Sequence, residues 1–119
     1  LPWAGHWDLP GGGREGEETP VECILREVQE EFGLRLPPLR LIWQQVFSSM
    51  VDPTRFSVFF GGSLQAKEVK AITFGDEGQR WALMPLAEFL AHQVAIPEMQ
   101  RRAGIAWDAL RPVLARPAG

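Results

Sequence analysis

The chain has few of the residues that build disulfide frameworks, zinc sites or membrane spans. Its 119 residues include one cysteine, Cys23, and two histidines. One cysteine excludes an internal disulfide, and with two histidines it argues against a four-ligand structural zinc site. No apolar run reaches the length of a membrane span, and no charged segment followed by an apolar one marks a signal peptide. We therefore expect a cytoplasmic protein without a membrane partner.

Positive charge is also scarce. Twelve Lys and Arg residues stand against fifteen Asp and Glu residues, which gives a formal net charge of −3. Without a basic excess, binding to duplex nucleic acid is a poor hypothesis, whereas a small anion carried with a divalent cation remains open. The hydrophobic content of 45% is typical of a soluble globular protein, and this length suffices for one core. The composition predicts a single domain over residues 1–119.

The clearest helix signal begins at Thr19. Thr19 as N-cap, Pro20 as first helical residue and Glu22 as third form a capping box with the favoured first-turn proline. We expect the helix to run to about Phe32 and to end at Gly33, a residue type common just after helices. At about 100° per residue, an apolar stripe of this helix should face the core. The stripe consists of Val21, Ile24, Leu25, Val28 and Phe32.

The other segments carry weaker signals. β-branched and aromatic residues predict strands at 39–48 and 56–64, which the turn at 51–54 should join as a hairpin. Short strands are predicted at 7–9 and 79–83. Helical turns are predicted at 85–90, and an amphipathic helix at 97–114 with Pro112 as a candidate break.

Three glutamates share one side of the first helix. Glu27, Glu30 and Glu31 are spaced i, i+3 and i+4, so their carboxylates should project from one patch opposite the apolar stripe. Carboxylate oxygens suit a hard divalent cation such as Mg²⁺. On spacing alone, a solvated acidic helix face is the more frequent explanation of such a pattern.

A glycine-rich, acidic loop leads into this helix. Residues 11–18 read GGGREGEE, and glycines let backbone groups come close to phosphates or to a metal. The acids in the same loop argue against a simple anion nest, because they repel phosphates unless a cation intervenes. Together with Arg26, the loop and the helix favour a site that holds a metal ion and a phosphate group.

The segment from 12 to 34 resembles the Nudix box, GX5EX7REUXEEXGU with U apolar. Every specified position is filled, by Gly12, Glu18, Arg26, Glu27, Val28, Glu30, Glu31, Gly33 and Leu34. The flanks WDLPGGG at 7–13 and GEETP at 16–20 are similar to those of MutT-like members. The resemblance implies an α/β fold, the Nudix α/β/α sandwich with a mixed central sheet. It also implies a pyrophosphohydrolase that uses Mg²⁺ or Mn²⁺ and cleaves nucleoside diphosphate derivatives by water attack at phosphorus.

The same resemblance suggests which residues hold the metal. Glu27, Glu30 and Glu31 would bind it through their carboxylates. Gly11 or Gly12 would add a backbone carbonyl.

Further roles follow from the resemblance. Arg26 would orient the glutamates through charge-assisted hydrogen bonds. Glu27, or Glu77 in a later loop, would accept the proton of the attacking water, although an exposed loop acid is an equally good reading of Glu77. Arg14 would touch a phosphate, unless it is a solvated loop arginine.

The box leaves the substrate open. Oxidised or canonical dNTPs, ADP-ribose, NADH, dinucleoside polyphosphates and capped RNA all contain the required linkage, and the MutT-like flanks favour nucleoside triphosphates weakly. A Nudix-fold module that binds or senses a nucleotide without cleaving it is the alternative, and the complete box argues against it.

The N-terminal end departs from the family pattern. Proteins with this box normally have strands before the WDLP segment, whereas only residues 1–6 precede Trp7 here. The resemblance therefore implies that N-terminal strands of the central sheet are absent from the chain as given. Because an open sheet edge favours association, we expect additional strand structure or a homodimer contact against this region.

Overall fold

The computed structural model describes residues 7–11, 13–73 and 81–114. Its elements, in chain order, are helix α1 (Pro20–Phe32), a 3-10 turn (Pro38–Arg40), strands β1 (Leu41–Ser48) and β2 (Phe56–Gly62), and helices α2 (Ala66–Lys70), α3 (Leu86–Ala91) and α4 (Pro97–Leu114). Contacts group the chain into a hairpin unit (Leu1–Asp8, Ile42–Gly61, Met84–Gly119) and a loop–helix unit (Leu9–Leu41, Gly62–Leu83). Within the described ranges, no helix combines the length and apolar content needed to cross a membrane.

Helix α1 begins and ends where the sequence predicts. The Thr19 hydroxyl accepts the N–H of Glu22 at 3.1 Å, and the Glu22 carboxylate accepts the N–H of Thr19 at 2.9 Å. Hydrogen bonding of the Glu22 carboxylate to the backbone and to the side chain of Thr19 lowers the pKa of Glu22. At the other end Gly33 has a left-handed φ of 69°, and its N–H donates to the Gln29 carbonyl at 2.8 Å. The predicted capping box and terminal glycine are both confirmed.

The apolar stripe of α1 is half-buried, and the buried residue of this helix is charged. All five stripe residues have intermediate exposure, whereas Glu27 is 8% exposed. In the described part of the loop–helix unit, Leu34 is the buried hydrophobic residue, at 7% exposure. One residue of the acidic side of α1, Glu27, is therefore covered, which periodicity alone does not predict.

Strands β1 and β2 form the predicted antiparallel hairpin. Backbone hydrogen bonds from Ser63 to the Arg40 carbonyl and from Ser49 to the Arg55 carbonyl lie at its two ends. In the turn, Asp52 accepts hydrogen bonds from the N–H of Thr54 at 3.0 Å and from its hydroxyl at 2.6 Å. Short polar side chains that bond to nearby backbone groups are typical of such turns.

Helices α3 and α4 pack against each other in the hairpin unit. Buried apolar residues of this unit include Phe47, Phe89, Ile96 and Leu110. Gln100 donates to the carbonyls of Phe89 at 2.8 Å and of residue 92 at 2.9 Å, and thereby pairs carbonyl groups at the end of α3. Both helix predictions are confirmed, and α4 continues through position 112 instead of breaking there.

Two short strand predictions need correction. Residues 81–83 are not in a strand, while 79 and 80 lie outside the described residues. At the N-terminal side, Trp7 forms one isolated parallel bridge with Ala95 rather than a strand. A strand requires a neighbouring backbone to pair with, so local propensity alone does not create one. Helix α2, which the sequence pattern did not predict, is capped by Gln65 and Glu68.

Candidate functional site

Arg26 lies at the centre of the carboxylates on α1 and the loop before it. Its Nε and Nη2 donate to the two carboxylate oxygens of Glu18 at 2.7 and 3.1 Å, a bidentate pair. Nη2 also donates to the Gly13 carbonyl at 3.0 Å. Nη1 lies 3.1 Å from Glu30 Oε2 and 2.9 Å from Glu27 Oε1. Arg26 therefore ties the glycine loop to the helix and gathers two of the predicted metal ligands around one nitrogen.

The Arg26–Glu18 pair is largely shielded from solvent, and each partner shifts the pKa of the other. The two side chains are 20% and 19% exposed. Hydrogen bonds from Arg26 and from the N–H of Glu15 lower the pKa of Glu18, and the bond to Glu18 raises the pKa of Arg26. Arg14 is exposed, and its positive charge contributes to lowering the pKa of Glu18. Both partners of the pair are therefore charged at neutral pH.

Glu27 is enclosed, unlike a residue of a solvated acidic face. Its side chain is 11% exposed, and that of Glu30 is 47% exposed. An enclosed carboxylate is tolerated only when it is paired, and Arg26 supplies the pairing charge. The solvated-face explanation thus does not describe Glu27.

Glu31 faces the start of the glycine loop. Its Oε1 accepts the backbone N–H of Gly11 at 3.4 Å. This bond brings the third predicted carboxylate next to one of the two glycines expected near a metal. Gly12 and Glu77 lie outside the described residues, so their expected roles stay predictions.

Two further residues lie against Arg26. Glu15 Oε1 is 3.6 Å from Nη1, and the sequence pattern does not single out Glu15 because the box specifies no residue there. Cys23 Sγ is 3.9 Å from Nη2 and is half-buried. Burial raises the pKa of the Cys23 thiol, which disfavours the reactive thiolate form.

The chemistry of these donors fits a hard divalent cation. Among the described residues, no three His, Cys, Asp or Glu side chains already stand together in metal-binding positions. Glu27 and Glu30 instead share the Nη1 of Arg26, a cationic group at hydrogen-bond distance. Carboxylate oxygens are the ligands that Mg²⁺ prefers, and each of these two carboxylates contacts Nη1 through one of its two oxygens.

Comparison with known proteins identifies the family of the chain. Residues 2–103 match the NUDIX domain family, so the chain belongs to that family. Its helices and antiparallel hairpin accord with the α/β Nudix fold. The match reaches well beyond the box and covers most of the chain.

A relative from Proteus vulgaris is named 8-oxo-dGTP diphosphatase. The chain is 45% identical to it over 38 residues, which are 32% of this chain and 34% of the relative. The aligned part therefore spans about a third of that relative's length.

Proposed function

We propose that the chain is a metal-dependent pyrophosphohydrolase that cleaves the diphosphate linkage of a nucleoside diphosphate derivative by water attack at phosphorus. The observation that carries the proposal is the position of Glu27 and Glu30 on Arg26 Nη1, beside a glycine-rich loop, in a chain of the NUDIX family with a complete box. A diphosphate is densely anionic, so clustered carboxylates accept it only together with cations.

The proposed ligands of the ion are Glu27, Glu30 and Glu31, with backbone from Gly11 or Gly12. Mg²⁺ is the expected ion and Mn²⁺ its substitute, because both prefer oxygen donors. When bound, such an ion neutralises the diphosphate and makes a water molecule more acidic.

The chain's own residues position the metal-binding carboxylates and take the proton from the attacking water. Arg26 holds the loop to the helix and orients the carboxylates through the bonds described above. Glu27 or Glu77 accepts the proton of the attacking water. Arg14, which is exposed on the loop, contacts a phosphate of the substrate.

Nucleoside triphosphates are the substrate class that we favour. The MutT-like flanks support this choice, as does the name of the Proteus vulgaris relative, although the alignment covers only a third of that protein. Specificity for the base depends on residues outside the box, so a panel of substrates is needed.

The test is a phosphate-release screen over nucleoside diphosphate derivatives, with and without Mg²⁺. We expect turnover that chelators abolish, and a loss by orders of magnitude in Glu30→Gln and in Glu31→Gln while the fold stays intact. Glu17→Gln is the matched control, because it removes one loop charge at an exposed position. Near-normal rates in both glutamine variants would remove these residues from the mechanism. No turnover on any substrate would favour a module that only binds nucleotides.

A further inference from the structure

Helix α4 covers one face of the β1–β2 hairpin. On that face Phe47 is 8% exposed, and the guanidinium carbon of Arg102 lies 4.7 Å from the centre of its ring. Arg102 also donates to the Ser57 hydroxyl at 3.2 Å, and a Cβ added at Gly61 would meet a methyl group of Leu110. Because the side chains of a strand alternate between two faces, the strand residues between Phe47, Ser57 and Gly61 point away from α4.

The opposite face of the hairpin and its turn carry large apolar side chains that solvent reaches. Ile42 is 42% exposed, Val46 56%, Met50 39%, Val51 95% and Phe56 75%, and we call these five residues the outer patch. The backbone hydrogen bond from residue 49 to residue 55 sets the register, so that Phe56 lies opposite residue 48 and diagonal to Val46. The outer patch therefore extends from the turn along β1.

Charge is almost absent from this part of the chain. Residues 41–51 and 56–66 contain no Asp, Glu, Lys or Arg, although such residues make up 23% of the whole chain. In the turn between them, Asp52 and Arg55 lie 4.0 Å apart and compensate each other's charge. Charged residues and proline are the usual protection of exposed strands against association, and β1 and β2 have neither. Two copies of this surface can meet without bringing like charges together.

The size of the outer patch matches what a small dimer needs. An aromatic side chain offers about 150–250 Å² and an aliphatic one less, so the exposed fractions of the five residues amount to on the order of 500 Å². Exposed apolar patches of this size mark interaction surfaces on soluble proteins. Burial of the patch on two copies removes about 1,000 Å² from solvent, which is the lower limit for a specific interface.

We propose that the outer patch is an interface between two copies of this chain, which pack face to face about a twofold axis and form a closed dimer. A twofold axis places the same surface of each copy against the other, and an uncharged apolar surface is complementary to itself. An interface of this size predicts a dissociation constant in the micromolar range. The inference concerns a surface apart from the metal-binding carboxylates and does not depend on the proposed function.

The test is analytical ultracentrifugation of the whole chain over a concentration series that spans the micromolar range. We expect wild type to pass from monomer to dimer as the concentration rises. Phe56→Ser should raise the dissociation constant at least about tenfold, because each dimer loses two phenylalanines. Leu83→Ser is the matched control, since Leu83 is 63% exposed and lies outside the hairpin, and it should leave the dissociation constant unchanged.

A second variant keeps the test decisive if Phe56→Ser fails to fold, which urea unfolding of the monomer at low concentration would show. Val46→Lys places two like charges in the interface and should abolish the dimer, whereas Val113→Lys, at a 50% exposed position of α4, should not. A wild type that stays monomeric throughout, or folded patch variants that dimerise as well as their controls, would overturn the proposal. Open-ended oligomers would also overturn it, because they indicate pairing of strand edges instead of faces.

Discussion

Glu98, in the first turn of α4, accepts hydrogen bonds from two arginines. Arg101 binds both carboxylate oxygens, at 2.8 and 2.7 Å, and Arg102 Nε donates to Oε2 at 2.8 Å. Arg102 is 4% exposed and also donates to the Ser57 hydroxyl at 3.2 Å and the Ser48 carbonyl at 2.8 Å. Glu98 thus balances the charge of a buried arginine that joins α4 to the hairpin. We predict that Glu98→Gln destabilises the chain.

The magnitude follows from the pKa of this carboxylate. Hydrogen bonds from Arg101 and then Arg102 lower the pKa of Glu98 from 4.5 to about 2. A shift of this size corresponds to about 3 kcal/mol, and solvent screening of a side chain that is 28% exposed reduces it to about 2 kcal/mol. Because the pKa is lower in the folded chain, this stabilisation is complete above pH 4.5 and is lost as the pH falls towards 2.

The assay is urea unfolding of wild type and Glu98→Gln at several pH values. The difference in the free energy of unfolding should be about 2 kcal/mol at neutral pH and should fall by more than half near pH 3. Asp108→Asn on the same helix is the control, since Asp108 is exposed and makes no ion pair with the described residues. A difference that is as large at pH 3 as at pH 7, or an equal effect of Asp108→Asn, would refute the reasoning.

Three further substitutions have defined outcomes. Glu77→Gln should lower turnover less than Glu30→Gln does, and a larger loss in steady-state assays would make Glu77 essential. Gly33→Ala should reduce the free energy of unfolding by about 1 kcal/mol, because the φ of 69° is unfavourable for any residue with a Cβ. Gly61→Ala should cost about 1–3 kcal/mol in thermal unfolding, since a Leu110 methyl group occupies the place of the added Cβ.

Gly104→Ala is the matched control for both glycine variants. Within α4 the added Cβ meets Leu90 at 3.9 Å, an ordinary contact. An alanine in a helix is better than a glycine by about 0.5–1 kcal/mol, so this variant should be slightly more stable than wild type. Destabilisation of all three variants alike would contradict the argument from φ and from the contact with Leu110.

Local features of the sequence predicted much of the fold. The capping residues of α1, the glycine at its end and the turn of the hairpin act over a few residues, so their effect is readable without the tertiary structure. The strand predicted at 79–83 fails at 81–83, and Trp7 forms only a bridge, because pairing depends on where another backbone lies. Helix α2 was not predicted, because a helix of five residues is too short to show a helical periodicity in its sequence.

The features of the candidate site also fall into those that the sequence determined and those that the tertiary structure decided. The order and spacing of the amino acids determined that Glu27, Glu30 and Glu31 share a helix side and that the chain carries a complete Nudix box. Only the tertiary structure decided that Glu27 is enclosed, that Glu18 and Gly13 clamp Arg26, and that Glu15 reaches the same nitrogen. Helical spacing fixes directions within a helix, whereas burial and ion pairing depend on how a loop folds back over it, and that is set by contacts between residues distant in the chain.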